Sequence, residues 1–364
     1  MIGRSFFLLS LLQAVVSGQW SADNPGAVTA QNGLCAQIPC HYKYPSTLNS
    51  KPRIGIWFNS ETLDFSSVAF FSEGYITVSP KFLHRTRLSG VLRDNDCSLV
   101  IDKVTQEDAG PYFFRVDFLD GQNDYNYQPA TQLYVTDFTD KPTIFPAEMV
   151  AGQPVNVTCS FNTTCNGTAP ILTWVTPADD PPSASRSVTQ WGDTLTYTSV
   201  LYLTPALKHH GQNLTCRVTY PTVSSEQILT MAVEYAPRNQ SITSPDNVNN
   251  SGVNVKEGNS VEFFCSVQSF PASNLTWRHL GATLNTTRSS NELWLKILQV
   301  TRQDAGDYQC VAENEHGTGK GNVTLMIELR GSEKTWKCLV ALIVLAVILG
   351  VVPVIVWAAC FRNK

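Results

Sequence analysis

Charge is scarce in this chain. Only 15% of its 364 residues are Asp, Glu, Lys or Arg, and the formal net charge is −4. A basic field able to neutralise a phosphate backbone is lacking, which excludes nucleic-acid recognition by that route. An acidic disordered chain and a long charged helix are excluded on the same ground. No nucleophile elbow, phosphate-binding glycine loop or zinc-ligand spacing occurs, so the sequence predicts neither an enzyme nor a cofactor nor a metal. His209 and His210 are adjacent and would face opposite ways in a strand, with no carboxylate or cysteine at ligand spacing. Long apolar runs are few as well: there are two, one near each end.

Those two runs predict the topology. Residues 1–18 pass from Arg4 through Phe6-Phe7-Leu8-Leu9 to the small residues Ser17-Gly18, the layout of a cleaved signal peptide. The run from Cys338 to Cys360 carries no charge and is long enough for one helix through ~30 Å of hydrocarbon. Trp336 and Trp357 sit near its edges, where indoles favour the headgroup layer. Pro353 is a kink position that a membrane helix tolerates. The expectation is a single-pass type I protein of the plasma membrane, its N-terminus extracellular. Residues 330–337 form a stalk and 361–364 a cytoplasmic tail without tyrosine. Cys360, at the inner boundary, is either a palmitoylation site or an unmodified cysteine.

Between the ends, 20 prolines and 22 glycines punctuate the whole chain, as an all-β protein with many turns requires. Its eight remaining cysteines lie in an oxidising compartment and imply disulfides. Cys265, Trp277 and Cys310 have the order of an immunoglobulin sandwich, with Asp304-Ala305-Gly306-Asp307-Tyr308 placing a corner tyrosine two residues before Cys310. Cys159, Trp174 and Cys216 repeat the order, with Leu214 at the tyrosine position and an extra Cys165. The first module departs from it. Cys40 and Trp57 hold their places, and Asp108-Ala109-Gly110-Pro111-Tyr112 is intact, but Phe114 stands where the second cysteine belongs. Cys97, Leu99 and Ile101 share one face of the expected strand E, which neighbours strand B. The predicted pairs are therefore Cys40–Cys97 within one sheet, Cys159–Cys216 and Cys265–Cys310. Cys35 and Cys165, each odd in its own domain, are left to bridge two domains; the alternative is two free or intermolecular thiols.

The predicted architecture is three tandem immunoglobulin-like β-sandwiches plus one transmembrane helix. A V-type domain spans 19–136 and two C2/I-type domains span 137–235 and 236–329. In the V-type domain, Tyr112, Phe114 and Val116 face inward and Phe113, Arg115 and Asp117 outward. A planar guanidinium meets a carboxylate with two parallel hydrogen bonds, which lysine cannot reproduce. A plain strand arginine would instead be solvated or paired with Asp117.

The Cys35/Cys40 pair, Cys97, Phe114, Cys165 and above all Tyr112-Phe113-Phe114-Arg115 make the chain resemble the siglecs, the sialic-acid-binding immunoglobulin-like lectins. Ile56–Ser60 and Arg85–Gly90 carry the same resemblance. It implies a V-type domain that binds sialylated glycoproteins or gangliosides, with Arg115 on the sugar carboxylate. It further implies Trp20 as an aromatic contact from strand A, and Asn126, Tyr127 and Gln128 as strand G contacts. The loop from Ser60 to Phe71 would tune linkage preference. Activating relatives place a basic residue inside the span to pair with a signalling adaptor; here Lys337 sits at its outer edge, so adaptor pairing is the weaker expectation. Asn-x-Ser/Thr acceptors occur at Asn156, Asn162, Asn166, Asn213, Asn239, Asn249, Asn274, Asn285 and Asn322, none in the first domain, which keeps that domain's binding face free of its own glycans. The other reading is a protein-binding adhesion or paired receptor that has lost glycan binding.

Overall fold

Short runs of alternating apolar and polar residues fold here as strands, and the chain divides into two compact units, residues 1–232 and 233–364. The structure is a computed structural model. It describes residues 20–73, 77–177, 183–192, 194–245 and 252–328, with Val340, Ile343 and Val344. Among the described residues no helix is long and apolar enough to cross a membrane. The expected signal peptide, stalk and tail, nearly all of the expected span and Asn249 lie outside the described residues.

Among the described residues, the first domain of unit one has eleven strands. These are β1 (Ser21–Asp23), β2 (Ala27–Gln31), β3 (Ala36–Ile38), β4 (His41–Lys43), β5 (Ile54–Phe58) and β6 (Val68–Phe71), then β7 (Thr86–Leu88), β8 (Leu99–Ile101), β9 (Gly110–Asp117), β10 (Asp124–Asn126) and β11 (Thr131–Thr136). One sheet runs β2-β11-β9-β5-β6 with β10 beside β9; the other is β3-β8-β7, and β1 pairs with β4. Cys40–Cys97 joins neighbouring chain segments of the second sheet, where the Cys97 N–H also donates to the Cys40 carbonyl at 2.9 Å. No bond ties the two sheets through Phe114, so packing must. Trp57 is buried between them and donates its indole N–H to the Cys97 carbonyl at 2.9 Å, with the Phe114 ring 5.5 Å away. The Tyr112 hydroxyl donates to the Asp108 carbonyl at 2.8 Å, and Asp108 accepts both arms of Arg85 at 2.8 Å. That bidentate pair ties the residue before β7 to the turn before β9. Gly55 of β5 is needed for close approach: a Cβ there would stand 3.0 Å from Leu92 and from Phe114.

Cys97, Leu99 and Ile101 face the core, yet Val100 between them is also buried. On the outer side of β8 it lines a groove shared with Asn166, Gln190 and Leu195 of the second domain. This second domain packs the strands Thr143–Phe145, Val155–Thr163, Thr194–Leu203 and Ser183–Trp191 against Ile171–Val175, Asn213–Thr219 and Ser224–Thr230, tied by Cys159–Cys216. Leu214 is fully buried at the corner position. His209 and His210 do not lie in a strand: Leu207–His209 is a 3-10 turn, and buried His209 accepts the Ala206 N–H on Nδ1 at 3.0 Å. The domains are joined by Cys35–Cys165 and by Asp102, which accepts the Thr168 N–H at 2.7 Å. Arg87 adds a bond to the Asn166 carbonyl.

Unit two is a further sandwich. Val233–Thr243, Val261–Phe270 and Glu292–Ile297 pair in one sheet, and Val253–Lys256, Gly317–Glu328, Gly306–Asn314, Asn274–His279 and Ala282–Thr287 form the other. Cys265–Cys310 bridges them beside fully buried Trp277, and the Tyr308 hydroxyl donates to the Asp304 carbonyl at 2.9 Å. The glycan acceptors Asn156, Asn162, Asn166, Asn213, Asn239, Asn274 and Asn285 lie at the surface, as does Asn322.

Candidate functional site

β9 is the central strand of the first domain's larger sheet, with β5 on one side and β10 on the other. Its alternation is visible in the burial. Tyr112, Phe114 and Val116 are at most 3% exposed, while Arg115 and Asp117 are partly open on the outer face. Phe113 shares that outer face and is nonetheless buried, opposite Phe58. The outer face is therefore not a plain solvated sheet. Ile54, Ile56, Phe58, Val68 and Phe71 form a second apolar cluster there, with Leu63 packed on it. A trough of about 440 Å³ runs over Ile54, Ile56 and Phe58, walled by Leu63, Phe65 and Leu119, with Arg115, Asp117 and Asn126 at its polar side. Phe65 is 70% exposed at the rim.

The wall is held in shape by its own polar residues. Asp64 accepts from the Ser67 N–H and the Thr62 hydroxyl, capping the 3-10 turn Phe65–Ser67. Hydrogen bonds from Ser66 and then Thr62 hold the Asp64 carboxyl below its usual range. On the other side, the loop that brings β10 beside β9 turns through Leu119 and Gly121, both with positive φ. Gly121, at φ +72°, has open space where a Cβ would stand, so it supplies the turn for conformational reasons alone. Asp120 accepts from the side chain and N–H of Asn123, the N–H of Gln122 and Nζ of Lys51. These bonds, the Asn123 side chain foremost, hold the Asp120 carboxyl far below its usual range.

Register then decides what Arg115 meets. Asn126 lies opposite Arg115, and Asp124 opposite Asp117. The guanidinium donates to Asn126 Oδ1 at 3.0 Å and forms an ion pair with Asp124. Asp117, the neighbour in sequence, is not its partner; Asp117 accepts the Leu119 N–H at 2.8 Å. Asp124 was legible only through the β9–β10 register, which loop length obscures in the sequence.

The other expected contacts divide. Tyr127 corrects its expectation: it is 2% exposed, donates its hydroxyl to the Lys43 carbonyl at 2.9 Å and stacks on Phe114, so its ring belongs to the core. Burial pushes its phenol well above the usual range. Trp20 is half-buried and stacks on Tyr125 with centroids 4.9 Å apart, edge-on to Phe118. Tyr125 is in register with inward Val116, so this stack sits on the inner side of β10, away from the Arg115 guanidinium. Gln128 is exposed beyond the end of β10. Elsewhere, Glu234, Glu315 and His316 place ligand atoms within 4.8 Å of one another, where a 2.7 Å His316–Glu234 pair accounts for the grouping.

Models of known families match three successive stretches. An immunoglobulin V-set domain covers residues 23–136, a CD80-like C2-set immunoglobulin domain 139–227, and an immunoglobulin domain 241–314. Over 84% of its length the chain is 33% identical to sialic acid-binding Ig-like lectin 12 of Mus musculus, spanning 67% of that protein. It is 31% identical over 92% of its length to sialic acid-binding Ig-like lectin 13 of Pan troglodytes, spanning 88%. The chain belongs to the sialic acid-binding Ig-like lectin family. Myelin-associated glycoprotein of Homo sapiens is 31% identical over 87% of the chain, which spans half of that longer protein. This is a family of binding receptors, and the chain is a binding protein rather than an enzyme. Membership fits the intrasheet Cys40–Cys97 bond and the interdomain Cys35–Cys165 bond as much as the sandwich itself.

Proposed function

We propose that the chain is a cell-surface lectin whose first domain binds sialylated glycans, with Arg115 receiving the sialic acid carboxylate. The observation that supports this most is the outward, partly open guanidinium on the central strand, beside a trough with one polar and one apolar side. A sialic acid has the matching form: a carboxylate, a hydroxyl-rich chain and an apolar acetyl methyl. The Asn126 amide serves as a neighbouring polar contact. Gln128 joins from the edge, where it stands exposed beyond the end of β10. Few polar contacts in a shallow site give weak single-site binding, which clustering on a membrane raises by avidity. Sialylated glycoproteins or gangliosides are the ligands on this reading, and a single membrane span is the anchor.

Cells displaying the full-length chain, treated with sialidase, are stained with sialylated and desialylated glycan polymers. Staining confined to the sialylated polymer and lost in Arg115→Ala supports the lectin; equal staining of the mutant overturns it. A second reading, a protein ligand docking on the same face, is favoured by the apolar floor and by exposed Phe65 and Leu119. Binding of a protein partner that survives Arg115→Ala but not Phe65→Ser would select it.

A further inference from the structure

The Arg115 guanidinium is already occupied. One nitrogen pairs with the Asp124 carboxylate and another donates to Asn126 Oδ1 at 3.0 Å, both from β10. The two aspartates, Asp117 and Asp124, lie directly opposite each other across the strands. Like charges so placed repel, and a cation reaching diagonally between them relieves the repulsion. Arg115, one pair of positions further along the same face, reaches diagonally to Asp124 and neutralises that one of the two. Its ion pair is therefore part of what fastens β10 to β9, not an accident of two long side chains meeting in water.

An incoming carboxylate meets two obstacles as a consequence. Each terminal nitrogen already donates one bond, so a two-pronged approach must compete with Asp124, and the immediate surroundings carry two negative charges against one positive. We infer that Asp124 is a specificity-determining residue: its carboxylate holds Arg115 as an internal ligand, which an external carboxylate must displace to bind. The inference rests on the reading that Arg115 receives the ligand's carboxylate. Asp124 is 43% exposed and Arg115 27%, so the displaced aspartate can swing to water while Arg115 stays backed by Asn126. Ligands with a carboxylate alone gain little from the exchange. Ligands that add hydroxyl donors for the released Asp124 recover the lost bond, which favours a polyhydroxylated acid over a simple one.

The test uses the full-length chain on sialidase-treated cells, with surface level set by an antibody to a terminal tag. Wild type, Asp124→Asn, Asp124→Ala, Asp117→Asn, Arg115→Ala and Asp124→Asn/Arg115→Ala are titrated with a sialylated glycan polymer. Removing an exposed competing ion pair is expected to lower the half-saturating concentration about threefold or more. Either Asp124 variant that reaches the surface serves, should the other fail to fold. The gain must vanish in the double variant and be absent in Asp117→Asn, which removes the same charge but no bond to Arg115. Binding by Asp124→Asn where wild type shows none supports the inference equally. If both Asp124 variants bind no better than wild type while Arg115→Ala abolishes binding, the internal-ligand role is overturned and the lectin reading stands. An equal gain in Asp117→Asn overturns the role too, since the effect is then general charge. Unchanged binding in Arg115→Ala, or none in any variant, overturns the lectin reading itself.

Discussion

Arg115 and Tyr127 are twelve residues apart and meet opposite fates, because one faces out from β9 and the other turns in just past the end of β10. Lysine at 115 keeps the charge but not the two-pronged geometry. Arg115→Lys is expected to weaken sialoside binding about tenfold or more, read by the same titration of stained cells. Tyr127 is a structural residue. Tyr127→Phe loses the bond to the Lys43 carbonyl and is expected to cost about 1 kcal/mol, seen as a lower melting temperature, with binding unchanged. Tyr127→Ala empties a fully buried site and is expected to cost about 3–5 kcal/mol. A loss of binding in Tyr127→Phe at unchanged stability would restore the ring to the site.

The element that sets the site is the β9–β10 hairpin, and Asp120 holds its loop. Its carboxyl is held far below the usual range by the Asn123 side chain first, then by backbone N–H groups and Lys51. A carboxyl lowered on folding stabilises the fold above its unfolded value, about pH 4, and that contribution is lost as pH falls through the lower folded value. Wild type should therefore melt higher than Asp120→Asn at pH 6, and the gap should close as pH falls toward 2. A gap that stays constant from pH 6 to pH 2 would show that the carboxylate is not what ties the loop. The opposite wall behaves alike through Asp64, also held below its usual range by side-chain hydroxyls.

Across the first unit, the Cys35–Cys165 bridge closes a separation of 130 residues, far more than the 57 of Cys40–Cys97. Longer closed loops remove more freedom from the unfolded chain, so losing this bond should cost about 2–4 kcal/mol. Asp102 and Arg87 bond the same segment, so the junction should loosen rather than fall apart. Hydrogen exchange of the full chain carrying Cys35→Ser and Cys165→Ser should speed up at residues 165–168 and 31–35. Exchange along β9 should not change. Equal exchange at the junction would mean that the side-chain bonds alone hold it.

How much of this the residues announce depends on the range of the interaction involved. Strand alternation, the cysteine-tryptophan order and the tyrosine corner are local patterns, and they carried the all-β sandwiches and the outward face of Arg115. Phe114 at a cysteine position and the odd Cys35 and Cys165 are likewise visible by counting. The partner of Arg115 was not, because sequence proximity points to Asp117 while the length and path of the 118–123 loop put Asp124 within reach. The placement of Tyr127 in the core, and of Ile54, Ile56 and Phe58 under a wall on the outer face, depends on which strands become neighbours. Sequence by itself determined the kind of domain and the face each β9 side chain takes, since alternation is fixed by backbone geometry. Only the tertiary structure decided which charges meet across strands, since register is set by loop conformation and by burial summed over both sheets.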